Sequence, residues 1–280
     1  MPATSSGTTR EALLAWYGEN ARDLPWRRTH DPYAILVSEV MLQQTQVVRV
    51  VPRYLEWLER WPTVEALARA SRADVIQAWS GLGYNRRAVN LHRCAQAVAE
   101  RGGFPRDPGE LAKLPGIGPY TAAAIACFAF GAQIAAPDTN ARRVLGRAFP
   151  GIDVPPPPGR AYDWNQALFD LGREICIART PRCGACPLAA GCPSRGQTHA
   201  PLRRQTRFEG SFRQRRARLL REIAAADGLP EADCDAEALV SLVRDGLAEV
   251  GAGEARLPGH TSLATSSASP SSDGSSASGA

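Results

Sequence analysis

Four cysteines crowd into seventeen residues as Cys176-x6-Cys183-x2-Cys186-x5-Cys192. Such density forces the surrounding backbone to converge on one point, and few folds allow it. Residues 1–9 are rich in Ser and Thr and lack the basic-then-apolar order of a secretory leader, so disulfides are not expected. Four clustered thiolates then argue for a metal centre. Zinc takes four cysteines tetrahedrally, usually from paired C-x2-C knuckles, and only Cys183 and Cys186 form such a pair. An iron–sulfur cube also takes four thiolates and tolerates irregular spacing. The spacing favours the cube and leaves zinc open. Cys94 and Cys127 fall on apolar helix faces and read as packing residues.

The chain has 280 residues, 44% apolar and 22% charged, enough for one or two domains with a sizeable core. No run of about 18 apolar residues occurs, which excludes a helical membrane span. A net charge of +5 suits a polyanionic partner. Lys113 is the only lysine; every other basic side chain is arginine. Arginine reads phosphate bidentately, but genome composition produces the same bias. Amine chemistry therefore has almost nowhere to sit.

Residues 10 to about 198 carry helical periodicity broken by Gly and Pro, with no convincing alternation, and predict an all-α body. Asp31-Pro32 offers a cap and a first-turn proline for a helix over Tyr33–Gln46. Further helices are predicted over Arg72–Ser80, Asn85–Glu100, Pro119–Phe130, Thr139–Phe149 and Trp164–Ile177. Asp138 is placed to cap the Thr139 helix. Residues 203–221 hold eight arginines with Glu209 as the only acid. That stretch predicts phosphate contact or a solvated helix face. Residues 199–260 read as a basic appendage, helical or winged-helix-like, and the Ser-rich residues 261–280 as a disordered tail.

Leu114-Pro115-Gly116-Ile117-Gly118-Pro119-Tyr120-Thr121 lies between two helices. Its glycines permit a tight turn with open backbone N–H groups, and the next helix start adds a positive dipole end, an arrangement suited to phosphate. A plain helix–helix turn is the alternative. This stretch resembles a helix-hairpin-helix motif, with Asp138 at the acid position of the glycosylase superfamily named for that hairpin. The cysteine spacing is similar to the 4Fe–4S loop of the endonuclease III and MutY branches. Ser38-Glu39-Val40-Met41-Leu42-Gln43-Gln44-Thr45-Gln46-Val47 resembles the signature of the adenine DNA glycosylase branch. Gly81-Leu82-Gly83-Tyr84, Arg87-Ala88, Asn90-Leu91-His92, Leu24-Pro25-Trp26-Arg27 and Asn165-Gln166-Ala167-Leu168 fit the same branch. The likeness covers roughly residues 10–195.

The resemblance implies an all-α helix-hairpin-helix glycosylase fold. It implies a six-helix domain over 23–135, a cluster domain from 10–22 and 136–198 with Cys176, Cys183, Cys186 and Cys192 holding a 4Fe–4S cluster, and a DNA cleft between them. The implied task is excision of adenine opposite 8-oxoguanine or guanine in double-stranded DNA by a monomer acting on the nucleoid in the cytoplasm. Glu39, set among apolar helix neighbours, is the expected general acid, because burial raises a carboxyl pKa. Asp138 is the expected oxocarbenium stabiliser, and Asp138-Thr139-Asn140 departs from the family's commoner Asp-Gly-Asn. Tyr120 stands where bifunctional relatives carry a lysine, so hydrolysis without strand cleavage is expected. Gln44, Thr45, Tyr84, Gly116 and Gly118 are expected at the DNA, and Trp26, Arg27 and Asp170 around the base. The chain is shorter between Arg147 and Asn165 than in relatives. The 88 residues after Cys192 are too few for the complete Nudix-like domain many relatives carry. A thymine mismatch glycosylase is the rival enzyme reading, and a non-enzymatic iron–sulfur DNA-binding protein the rival outside catalysis.

Overall fold

The computed structural model describes residues 3–200, 206–226 and 228–259. The tail read as disordered, 261–280, lies outside the described residues, as do Arg203 and Arg204. The body is helical: α1 (Ala3–Asn20), α2 (Pro32–Leu42), α3 (Val47–Arg60), α4 (Val64–Arg69), α5 (Arg72–Ala78), α6 (Arg86–Arg101), α7 (Pro108–Leu111), α8 (Pro119–Phe130), α9 (Thr139–Ala148) and α10 (Ala161–Glu174). The C-terminal part adds α11 (Phe212–Ala226) and α12 (Ala236–Arg244). With them come the short strands β1 (Leu229–Pro230), β2 (Glu249–Gly251) and β3 (Glu254–Arg256), in the antiparallel order β1-β3-β2. Strands this short carry no readable alternation, which is why the sequence did not show them.

The caps read from sequence operate. Asp31 accepts from the Tyr33 and Ala34 N–H groups at 3.0 and 3.2 Å, and Pro32 opens α2. Gly131 closes α8 in the left-handed region at φ 71°. Helix α2 ends at Leu42 rather than Gln46, because Gln44 takes φ 56° and leaves the helical region. Among the described residues no helix lies between Ala148 and Ala161, the stretch that is short and proline-rich.

Three apolar cores organise these elements. The first runs from Leu24 to Ala136, with Ala161 added, and surrounds α2 so completely that Tyr33 through Met41 are all buried. A helix apolar on every face belongs in the middle of a bundle, and α3, α6 and α8 pack around this one. The second core joins Leu13 and Tyr17 of α1 to Val144, Trp164, Leu168 and Leu171 of α9 and α10, with Leu188 from the cysteine loop. The third core has an unexpected composition. Leu219, Leu220 and Ile223 of α11 and Leu239 and Leu242 of α12 share it with Ala73 and Ile76 of α5 and Val89 of α6.

Residues 206–259 are therefore built onto the body rather than tethered to it. Their charge also corrects an expectation. Residues 199–260 hold ten arginines against ten acids, so the segment is basic only at its start. Arg215 pairs with Asp235 and Glu237, Arg216 with Asp245 at 2.7 Å, and Arg218 with Glu222 at 2.7 Å. Because the third core is shared, Leu220→Ala is expected to cost about 2–3 kcal/mol. It should raise hydrogen exchange in α5 and α6 as well as in α11 and α12. A change in protection confined to residues 206–259 would contradict the shared core.

Candidate active site

Helix α2 delivers Glu39 into the first core, and α8 runs beside it. Gly118 and Pro119 start α8, which puts Tyr120 in its first turn. From there the Tyr120 hydroxyl donates to Glu39 Oε2 at 2.8 Å. Glu39 is 7% exposed. Burial pushes its carboxyl up to about 7, the Tyr120 hydrogen bond opposes that rise, and the Asp138 charge adds to it. Burial likewise holds the Tyr120 phenol well above its ordinary range, with the Glu39 charge acting in the same direction. Near neutrality Glu39 is poised to hold a proton. Tyr120 occupies one oxygen as a donor, which leaves that proton to the other.

Asp138 enters from the second core. Its Oδ1 accepts the Ala141 N–H at 2.6 Å as the cap of α9, while Oδ2 accepts from Asn140 Nδ2 at 3.0 Å. Both carboxylate oxygens are thus engaged as acceptors, one by backbone and one by a side chain. The Thr at 139 leaves the cap intact, so capping and a charge at the site coexist.

The four clustered cysteines border one shared pocket together with Arg147, Ile175, Pro181 and Ala189. None is in a disulfide. Among the described residues no three His, Cys, Asp or Glu side chains gather as a single ion requires. Four thiols around a shared space fit a cube held at its corners. Burial raises the Cys186 and Cys192 thiols, a bias that coordination by a cationic cluster reverses. Arg147 donates to Cys176 Sγ at 3.4 Å and the Gly196 N–H to Cys183 Sγ at 3.3 Å, interactions that suit an anionic cluster–thiolate group. Bound here, a 4Fe–4S cluster ties the 176–192 loop together through its four thiolates.

The residues expected at DNA fall on two loops and a hairpin. Gln44 follows α2 and Tyr84 precedes α6, at φ 56° and 49°, both side chains exposed. Thr45 is linked to the second loop through Leu82 O and Arg87. In the hairpin, Gly116 takes φ 76°, and a Cβ there would lie 2.6 Å from Asn90 Cβ, so only glycine fits. Gly118 has open space on its Cβ side, room for a phosphate to approach the α8 start.

The group assigned to the base is placed differently. Asp170 is fully buried, and Arg22 and Arg27 take both its oxygens, Arg27 with a bidentate fork at 2.8 and 2.9 Å. A carboxylate so saturated has no acceptor capacity left for a base. Trp26 packs edge-on against Tyr54, 5.4 Å between ring centres. The arginines at 22, 143 and 147 were missed individually, and Arg87 was noted only as part of the family's motif, because the arginine excess reads as a compositional habit; only internal position distinguishes them.

Residues 37–158 match the HhH-GPD superfamily of base excision DNA repair proteins, and residues 176–192 match the iron–sulfur binding domain of endonuclease III. The adenine DNA glycosylase of Mycolicibacterium smegmatis is 46% identical over 231 residues, which span 74% of this chain and 78% of that protein. The chain belongs to the adenine DNA glycosylase family. The Mycobacterium tuberculosis member is 44% identical over 240 residues, covering 77% of this chain and 78% of the relative. A solved thermostable thymine-DNA glycosylase aligns at a TM-score of 0.64 and 30% identity, over 68% of this chain and 96% of its own. Members of both branches thus share this architecture, and substrate choice has to come from side chains.

Glu39 carries a stability consequence. Its ordinary value is 4.5 and its folded value about 7, so the folded state binds the extra proton between them. The associated stability is fully present below about pH 4.5 and is lost as pH rises through about 7. Glu39→Gln keeps an acceptor for Tyr120 without the buried charge. Above about pH 7 the variant is expected to be more stable than the parent by roughly 3 kcal/mol. Its excision rate should fall at least about a hundredfold. Urea unfolding at acid and alkaline pH with single-turnover assays checks both; equal stability at all pH values, or near-normal excision, would contradict the assignment.

Proposed function

We propose that this protein hydrolyses the N-glycosidic bond of adenine mispaired with 8-oxoguanine or guanine in double-stranded DNA. The single observation that carries the reading is the buried Glu39–Tyr120 hydrogen bond with the Asp138 charge acting on both groups. The target nucleotide must first leave the stack, because its reacting atoms are inaccessible inside the duplex. Glu39 then gives its proton to an adenine ring nitrogen, so that the base departs neutral. Positive charge develops on the sugar, and the Asp138 carboxylate stabilises it, as the second carboxylate does in glycoside hydrolases. Water completes the reaction at the anomeric carbon. Tyr120 orients Glu39 and presents its hydroxyl on the sugar side.

The two main cores are the bodies between which the duplex lies, with the hairpin at 114–118 on its backbone and Gln44, Thr45 and Tyr84 at the lesion. Arg27, held by Asp170, and Trp26 wall the base pocket. Asp170 acts on the base only through Arg27. One chain carries every one of these residues, so a monomer suffices. Action on nucleoid DNA is the ground for reading the protein as cytoplasmic; separately, no helix among the described residues is long and apolar enough to cross a membrane. The thymine reading is weaker because departure of thymine does not call for a buried acid aimed at a purine ring.

Among the described residues the one lysine, Lys113, is exposed and paired with Glu110 at 2.6 Å rather than with Glu39 or Tyr120. A Schiff base needs a free amine at the sugar, and arginine is too basic to serve. Labelled duplexes carrying adenine opposite 8-oxoguanine or guanine are expected to lose the base, with strand breaks only after alkali and little covalent trapping by borohydride. Duplexes with thymine opposite guanine should stay intact. Preferential thymine removal would contradict the substrate, and efficient trapping abolished by Lys113→Ala would contradict the hydrolytic mechanism.

A further inference from the structure

Arg87 stands in the first turn of α6 with 9% of its surface exposed. Its guanidinium meets oxygens rather than a carboxylate. Nη1 donates to the carbonyls of Val40, Met41 and Gln43 at 2.8, 3.0 and 2.6 Å. Nη2 donates to Thr45 Oγ1 at 3.1 Å, Leu82 O at 3.4 Å and Gly83 O at 2.9 Å. The same group lies 5.2 Å from the Trp79 ring centre and 5.5 Å from that of Tyr84. Trp79 Nε1 in turn donates to Gly83 O at 3.0 Å. Burial without a counter-charge draws the guanidinium down to about 10. A cation is costly to hold in such a place, so what it holds there matters.

The oxygens form two sets. Those of Val40, Met41 and Gln43 are carbonyls at the C-terminal end of α2, where helical partners run out. Those of Leu82 and Gly83 belong to the loop before α6. Each set adjoins a non-glycine residue in the left-handed region: Gln44 follows the first and Tyr84 the second. Such strained residues persist only where their surroundings over-determine them. Here one planar fork spans both segments, although they are some forty positions apart in sequence. Lysine, a point charge with three donors on a flexible stem, cannot reproduce that span.

We propose that Arg87 is a positioning residue that fixes Gln44 and Tyr84 relative to each other before DNA arrives, so that base extrusion meets a wedge already assembled. The proposal rests on the glycosylase reading. It separates two properties of α2: Arg87 sets where the wedge stands, whereas Glu39 and its proton depend on Tyr120 and burial. Loss of Arg87 should therefore impair extrusion without moving the pH dependence of the chemical step.

The test uses the full chain on duplexes with adenine opposite 8-oxoguanine, with 2-aminopurine beside the target as a fluorescent reporter of extrusion. Arg87→Lys is expected to slow single-turnover excision on the order of ten- to a hundredfold and to weaken the fluorescence rise. Helicity, visible absorbance and the pH midpoint of the rate should stay as in the parent. In a Gln44→Ala/Tyr84→Ala background the same substitution should cost less than about threefold, because the residues it positions are gone. An equal loss in both backgrounds, a shifted pH midpoint, or no loss at all would overturn the proposal. Should Arg87→Lys fail to fold, Thr45→Val removes one acceptor, and its smaller loss must show the same non-additivity; additivity there overturns the proposal equally. Failure of the unmodified protein to excise adenine from any mispair would overturn the glycosylase reading itself, and no variant is needed to see it.

Discussion

A carboxyl group buried in a helix that is covered on every face is the constraint on which the rest of this protein depends. Water would stabilise Glu39 as an anion. The first core removes that water, and Tyr120 supplies a single hydrogen bond that helps an anion without fully replacing solvent. The outcome is an acid that titrates near neutrality. Holding it there requires α3, α6 and α8 around α2, and so requires the large core between Leu24 and Ala136. Stability given up at one residue is a common feature of sites built for proton transfer.

The second requirement is a carboxylate whose charge acts on that acid. Asp138 comes from the other core and is kept an acceptor by the α9 N-terminus and by Asn140. Asn140 is itself held by Arg143, which also donates to Cys176 O at 2.9 Å and Gly172 O at 2.6 Å. The cysteine loop and the α9 start are thus parts of one rigid arrangement. Two carboxyl groups thus stand in contrasting surroundings, Glu39 buried against Tyr120 and Asp138 capping α9, the contrast on which the proposed division of labour rests.

Local chemistry was legible in the sequence wherever it acts locally. Asp31, Pro32, Asp138 and Gly131 punctuate helices through groups within a few residues of themselves, and they do so in the structure. The apolar neighbours of Glu39 announced its burial. What could not be read depends on distant partners. The end of α2 at Leu42 goes with carbonyls bonded to Arg87, more than forty positions away. Asp170 looked available for a base until Arg22 and Arg27, about 150 and 140 positions earlier, were found on its oxygens. Likewise Arg215 and Arg216 of α11 looked free until acids around α12 were placed beside them. In each case an arginine made the long-range link, and the chain's abundance of arginine hid which ones mattered.

The central claim is that Glu39 acts as a protonated acid because it is buried against Tyr120. Its most direct test is the pH dependence of the single-turnover excision rate between about pH 5 and pH 9, where chemistry and not product release is observed. A general acid works in its protonated form, so the rate should be high on the acid side and fall as pH rises through about 7. Replacing Tyr120 with Phe removes the one hydrogen bond that lowers this value and should carry the midpoint to higher pH. A rate independent of pH across that range, or one that rises through neutrality, would contradict the account.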